Sequence, residues 1–174
     1  MQETAEEYRN RLLSYSQEND PLKLQADAPK RIAKLLAGAS SKKLSAKPAP
    51  GKWSVNEILA HLADAELTIG YRMRTIAGSP GTPIQAYDQD AWAKALSYEK
   101  RRAKESLAAF RAIRESNLAM IRSLNSDQWE HFGMHAERGK ESIRTMVSMT
   151  AGHDINHIRQ IEAILKPQSK KATA

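Results

Sequence analysis

Apolar side chains recur every three or four residues in four long segments of the chain, and each segment is predicted to be an amphipathic helix. The first segment runs from Glu3 to Gln17, and the second runs from Ser54 to Gly78. The third runs from about Ser97 to Leu124, and the fourth runs from about Ser142 to Leu165. A shorter helix is predicted after Pro29, between the first two. The pattern therefore predicts an all-α four-helix bundle with a short crossover helix.

Short polar motifs mark the ends of these helices. Ser54 and Glu57 have the spacing of a capping box, in which each side chain bonds to the backbone N–H of the other residue. Pro167 ends the fourth helix. No segment alternates apolar and polar positions clearly enough to predict a strand. Residues 1–166 are therefore predicted to form one domain, followed by a flexible basic C-terminal tail at 167–174.

The composition excludes several classes of protein. In 174 residues, 41% are hydrophobic and 27% are charged, which suffices for one core and excludes a disordered tail protein. The chain has no cysteine, so any metal must be held by nitrogen and oxygen. The polar start lacks the features of a secretory signal, and no apolar run approaches the ~18 residues of a membrane span. We therefore expect a soluble cytoplasmic protein that does not enter a membrane.

The charge balance gives a second hypothesis. There are 27 basic and 20 acidic residues, a net charge of +7. Seven of the basic residues, and no acidic one, lie between Lys30 and Lys52. This excess favours anionic ligands or solubility, and it raises nucleic-acid binding as an alternative function. No recognition-helix or RNA-binding motif accompanies it, which disfavours that alternative.

Three of the five histidines are predicted to face the bundle interior. His153 and His157 are four residues apart, so their rings stack on one face of the fourth helix, and that face is the apolar one. His61 lies on the apolar stripe of the second helix. A buried histidine commonly bonds to a carbonyl or carboxylate, and this remains one interpretation of each ring. A shared divalent metal is the other, and three nitrogen ligands leave an open position for water or substrate.

Two other histidine patterns in the chain do not add to this candidate metal site. His153 and His157 invite comparison with the HExxH zinc proteases, but Asp154 replaces their glutamate base and the chain ends soon afterwards. His131 and His135 have the same spacing, yet Gly133 between them predicts a loop. They are not predicted as ligands, although this loop can approach the site.

The chain carries two motifs of a known family. Residues 53–66, WSVNEILAHLADAE, open the second helix, and residues 153–161, HDINHIRQI, close the fourth. Together they resemble the DinB-like (DinB/YfiT) superfamily of metalloenzymes over about residues 5–165. The resemblance implies an up-down-down-up four-helix bundle and a divalent metal bound by His61, His153 and His157. Zinc is the first expectation for this metal and nickel the second.

The resemblance also implies a function. Members of this superfamily include metal-dependent hydrolases, transferases that use low-molecular-weight thiols such as bacillithiol, and mycothiol-dependent isomerases. An open divalent site can lower the pKa of a bound water for hydrolysis or bind a thiol as thiolate. We therefore expect a small-molecule substrate, which can be a low-molecular-weight thiol, and a homodimer. A metal-binding or nucleic-acid-binding helical module without turnover is the competing interpretation.

Residues around the site are harder to assign. Gln160, one turn beyond His157, can orient a ligand or a water, or can simply lie on the helix surface. Capping explains Glu57 without chemistry, and Trp53 is predicted to pack onto the second helix. No catalytic acid or base is assigned. The long connection at 78–92 contains three residues that can cover the mouth of the site, namely Tyr87, Asp88 and Trp92.

Overall fold

The computed structural model describes residues 3–166, which form eight α-helices and three short strands. The predicted tail at 167–174 lies outside the described residues. A 3-10 turn, Tyr98–Lys100, precedes the sixth helix. The helices are α1 (Ala5–Ser16), α2 (Pro21–Leu36), α3 (Ser41–Ser45), α4 (Val55–Gly78), α5 (Gln89–Ala95), α6 (Ala103–Arg122), α7 (Ser126–Glu130) and α8 (Ile143–Leu165).

The four helices α2, α4, α6 and α8 pack into a bundle, which confirms the predicted fold class. Helix α4 lies against α6 and α8, and α2 lies against the same two helices. The prediction was wrong about α1, which packs on α8 and is not one of the four. Only Leu12 and Ser16 of α1 are buried, so this helix covers one neighbour and does not line the core.

The short crossover helix predicted after Pro29 is the second half of the longer helix α2. Asp20 caps the start of α2, because its carboxylate accepts a hydrogen bond from the amide two residues on at 2.9 Å. Pro29 lies inside the helix and lacks the N–H that would bond to the Gln25 carbonyl. The Arg114 side chain donates to that carbonyl instead, at 3.0 Å. The carbonyl is therefore satisfied by a residue of another helix.

Helices α4 and α8 confirm the predicted second and fourth helices. The Ser54 hydroxyl accepts from the Glu57 amide at 3.3 Å, and the Glu57 carboxylate accepts from the Ser54 amide at 2.8 Å, as the capping box requires. Helix α6 begins at Ala103 and not near Ser97. Ser97 has a φ of 50°, a left-handed conformation that interrupts a right-handed helix.

A small sheet occupies segments that were predicted to be loops. Its strands are β1 (Pro83–Ile84), β2 (Phe132–His135) and β3 (Gly139–Ser142). β2 is central and pairs in parallel with β1 and antiparallel with β3. The expectation that the chain forms no strand was therefore wrong. Strands of two to four residues are too short for an alternating pattern to reveal them.

Arg114 on α6 is buried, although a basic residue on an amphipathic helix usually faces solvent. Its guanidinium donates to Asp154 on α8 at 2.5 and 3.1 Å and to Glu66 on α4 at 2.7 Å. It also donates to the Gln25 carbonyl on α2 at 3.0 Å. Asn117 donates to the Glu66 carboxylate at 2.8 Å. These contacts form the Arg114 network, made by Arg114, Glu66, Asp154, Asn117 and the Gln25 carbonyl, and the network joins all four helices of the bundle.

Helices α1 and α8 approach each other most closely at Gly152. A Cβ atom at this position would lie 1.9 Å from the Leu12 carbonyl oxygen, so any side chain would push α1 away. The glycine thus allows α1 to dock on α8 immediately before His153.

Replacing Arg114 tests whether its network stabilises the bundle. Arg114→Met removes the cation and leaves the carboxylates of Glu66 and Asp154 buried without it. We expect the free energy of unfolding to fall by about 3–5 kcal/mol. Arg111→Met, at an exposed position of the same helix, is the control and is expected to change it by less than about 0.5 kcal/mol. Urea unfolding followed by circular dichroism measures both, and equal stability of the two variants would contradict the account.

Candidate metal centre

Helices α4 and α8 bring together the three histidines that the sequence analysis singled out. The Nε2 atom of His153 lies 3.0 Å from Nε2 of His61 and 3.1 Å from Nε2 of His157. One ligand atom from each ring lies within 4.8 Å of the other two. Three nitrogen atoms at this separation can bind one cation. The convergence of the rings is a feature of the structure, whereas their role as metal ligands stays a prediction.

Burial keeps the three rings in the form that a metal needs. Their exposed fractions are 2% for His61, 9% for His153 and 6% for His157. Burial, with the neighbouring imidazoles, holds the pKa of His61 and His153 well below the usual value. Burial also lowers the pKa of His157, to about 4. All three are therefore neutral at pH 7, and a neutral imidazole is the ligating form.

Gln160 fixes the orientation of His157. The Nδ1 atom of His157 lies 2.9 Å from Oε1 of Gln160. Because an amide oxygen accepts, Nδ1 is the donor, and Nε2 carries the lone pair that faces the other two rings. Metal-binding histidines in proteins commonly donate their second N–H in this way. Of the two interpretations of Gln160, this contact favours orientation of a ligand.

The neighbouring residues divide into those that touch the cluster and those that do not. The Trp53 ring lies 5.0 Å from the His61 ring, so it packs on α4 as predicted. The Asp154 carboxylate bonds to Arg114 and is held in that network. His131 and His135 are not in the group of three histidines. Nδ1 of His131 bonds instead to the Ala77 carbonyl at 3.1 Å. Nδ1 of His135 accepts from the Glu137 amide, also at 3.1 Å.

Two cavities meet beside the histidine cluster. The larger, of about 850 Å³, is lined by His61 and His153, and the smaller, of about 690 Å³, is lined by His157. Tyr87 and Asp88 line the larger cavity, in agreement with their predicted place over the site. Trp92 stacks on Tyr87, with ring centroids 4.4 Å apart. The two cavities adjoin, because four residues line both of them, namely Glu3, Tyr8, Gln89 and Asp90.

Two arginines in the larger cavity were not identified from the sequence. Arg72 lies on the stripe of α4 that includes His61, and Arg138 lies in the turn between β2 and β3. The spacing of Arg72 from His61 on one helix face could have revealed the first. Arg138 enters the cavity through the β2–β3 hairpin, which the sequence pattern did not predict.

Fold and site together define a helical-bundle protein with a candidate three-histidine metal centre. The family model described as the DinB superfamily matches residues 26–161. The chain therefore belongs to the DinB superfamily, as the two motifs indicated.

Individual relatives and solved structures are similar to this chain at low identity. A protein of Oceanobacillus iheyensis named "Putative metal-dependent hydrolase" is 24% identical over 140 residues, which is 80% of this chain and 81% of that one. The solved structure of YfiT from Bacillus subtilis, described as a probable metal-dependent hydrolase with an unusual four-helix bundle topology, has a TM-score of 0.77 at 20% identity and covers 83% of each chain. A mycothiol-dependent maleylpyruvate isomerase has a TM-score of 0.62 at 13% identity, covering 86% of this chain and 60% of that one.

Within residues 3–166, none of the helices combines the length and the apolar character needed to cross a bilayer.

The buried neutral histidines predict that the metal-free protein loses stability in acid. The unfolded chain takes up protons near pH 6.5, whereas the folded chain resists protonation of His61, His153 and His157. The free energy of unfolding should fall between pH 7 and pH 5, by up to about 1.4 kcal/mol per pH unit for each histidine. Burial raises the pKa of Asp154 to about 6, which acts in the opposite direction and offsets part of the loss.

Urea unfolding in the presence of a chelator measures this dependence. His61→Asn removes one buried imidazole, so its free energy of unfolding should fall less steeply over the same pH range. The same slope in both proteins would contradict the assignment of neutral buried rings.

Proposed function

We propose that the protein is a divalent-metal-dependent enzyme in which His61, His153 and His157 hold the metal, with zinc as the first candidate and nickel as the second. The observation that carries the proposal is the convergence of three neutral Nε2 atoms with separations of 3.0 and 3.1 Å. Tetrahedral zinc with bonds of about 2.0–2.1 Å to nitrogen needs ligand atoms about 3.3 Å apart, so small movements suffice. When bound, such a metal supplies Lewis acidity and lowers the pKa of a water or thiol in its open position.

Hydrolysis is the activity that we propose first. The names of the relatives from Oceanobacillus iheyensis and Bacillus cereus support it. Transfer to or from a low-molecular-weight thiol is the second candidate, and the structural likeness to a mycothiol-dependent isomerase supports that one. Both activities need the same three histidines. Product analysis with ester, amide and thiol substrates distinguishes them.

The residues of the chain have separate tasks in this proposal. Gln160 holds the His157 ring so that Nε2 faces the cluster. The Trp53 ring packs on His61 and restricts its movement. Cavities of about 850 and 690 Å³ border the cluster, and the size of each one suits a small-molecule substrate. We propose no acid or base among the side chains.

A metal-binding module without turnover and a nucleic-acid-binding protein are the alternatives. Stoichiometric metal without activity in a broad substrate screen would support the module. Binding of duplex DNA that weakens steeply with salt would support the other. The homodimer and the cytoplasmic location remain predictions from the sequence.

Removing one histidine should remove most of the metal. His157→Ala leaves two ligands, so we expect it to retain little zinc after dialysis while most of the helical signal persists. His131→Ala is the matched control, because it removes a histidine outside the cluster, and it should bind one zinc per chain. Elemental analysis of untagged protein gives the stoichiometry. Full zinc content in the His157→Ala protein would refute the proposed ligand set.

Gln160→Leu tests the orientation of His157 without removing a ligand. The loss of the acceptor at Nδ1 should weaken zinc binding by about 10–100-fold. Arg159→Leu, on the neighbouring residue of α8, is the control and should leave the affinity unchanged. Competition with a chromophoric chelator measures both affinities. If Gln160→Leu binds zinc as tightly as the original protein, Gln160 has no role in orienting the ring.

A further inference from the structure

We propose that Arg72 binds an acidic group of the substrate at the end of the larger cavity that is remote from the histidines, so that the substrate is an elongated carboxylate. This inference rests on the proposed function, because the histidine cluster is where the other end of the substrate would react. It adds a substrate class and a specificity-determining residue.

The wall of the larger cavity has an ordered arrangement along α4. His61, Ala65, Ile69 and Arg72 all line the cavity, and they follow one another on the same face of the helix. His61 and Arg72 are eleven residues apart, which places their Cα atoms about 16 Å apart along the axis. A ligand that contacts both ends must therefore be extended.

Residues of α8 and of the β2–β3 hairpin line the same cavity and follow a similar order. His153 lines the cavity at one end, Met149 and Met146 line the middle, and Arg138 lines the other end. Between the histidines and the arginines, the residues of α4 and α8 that line the cavity are mostly apolar, with Thr150 as the polar exception. This helical side of the cavity favours a ligand with an apolar middle section and polar ends.

Arg72 is the cation of this cavity whose charge is not balanced by a protein carboxylate. Arg138 forms two hydrogen bonds to the buried Glu141 carboxylate, at 2.6 and 3.1 Å. Arg72 forms no ion pair with any acidic residue in the described part of the chain, although its side chain is only partly exposed. It donates to the Gln85 carbonyl and lies 5.6 Å from the centre of the Tyr87 ring. A half-buried guanidinium of this kind is suited to a planar carboxylate.

None of the acidic residues that line the cavity forms an ion pair with Arg72. Glu3 pairs with Arg11 at 2.7 Å, and the Asp88 carboxylate accepts from two amides at the start of α5. Asp90 and Glu137 are exposed at the rim. They favour an amine at the entrance as the competing ligand chemistry, so an amine probe is one arm of the test.

The experiment uses cobalt(II)-loaded protein and three series of ω-substituted alkanethiols of increasing chain length. The thiol group ligates cobalt and changes its absorption spectrum, and the other end carries a carboxylate, a hydroxyl or an amine. We expect the carboxylate to bind about tenfold more tightly than the hydroxyl at an intermediate length. The shortest members should show no difference, because they cannot span the cavity. Arg72→Gln should abolish the carboxylate preference, and Arg111→Gln, an exposed charge-matched control on α6, should keep it.

Equal affinity of carboxylate and hydroxyl at every length would overturn the proposal, and so would a preference for the amine. A carboxylate preference that persists in Arg72→Gln would also overturn it.

A second measurement separates this inference from the proposed function. Hexanoate and hexanol are titrated into metal-free protein and followed by nuclear magnetic resonance. If the protein binds no cobalt, yet hexanoate binds in preference to hexanol and Arg72→Gln removes the preference, the arginine site stands and the metal centre fails. If cobalt binds and neither assay shows a preference that depends on Arg72, the metal centre stands and the arginine site fails.

Discussion

The arrangement of the bundle depends on one buried cation, the guanidinium of Arg114. It donates hydrogen bonds to side chains of α4 and α8 and to a backbone carbonyl of α2. One group on α6 therefore contacts the three other helices of the bundle. The carboxylates that it binds lie close to the histidine cluster, since Glu66 follows His61 by five residues and Asp154 is next to His153. A change in the Arg114 network would therefore alter the spacing of the helices that carry the candidate ligands.

The Arg114 network also separates the two larger of the three apolar clusters formed by the described residues. One cluster includes Ile58, Phe110 and Ile161, and the other includes Ile121 and Ile143. On α4, α6 and α8 the residues of the Arg114 network lie between the two clusters in sequence. Burying charged groups is costly unless they are paired, so this polar layer defines which helix faces can meet. The three buried imidazoles lie beside this layer, and each of them lines one of the two cavities.

The sequence predicted the bundle and the inward direction of the histidines because helical periodicity determines which face is buried. Prediction from the sequence failed where the type of a residue and the helical periodicity indicate different positions for its side chain. The stripe of Leu107, Phe110 and Ile121 includes Arg114 in steps of three or four, but a basic residue type indicates the surface and conceals this inward position. Pro29 was taken as a helix boundary because a local rule cannot include a donor from another helix. The short strands depend on pairing between distant segments, which one sequence does not reveal.

The most direct test of the account is the position of a metal in the zinc-loaded protein. Diffraction data collected on both sides of the zinc absorption edge locate the ion without reference to the protein density. The account predicts one anomalous peak per chain, about 2.0–2.1 Å from the Nε2 atoms of His61, His153 and His157. A peak at another set of residues would contradict it, and so would zinc-free imidazoles bonded to one another in crystals grown with zinc.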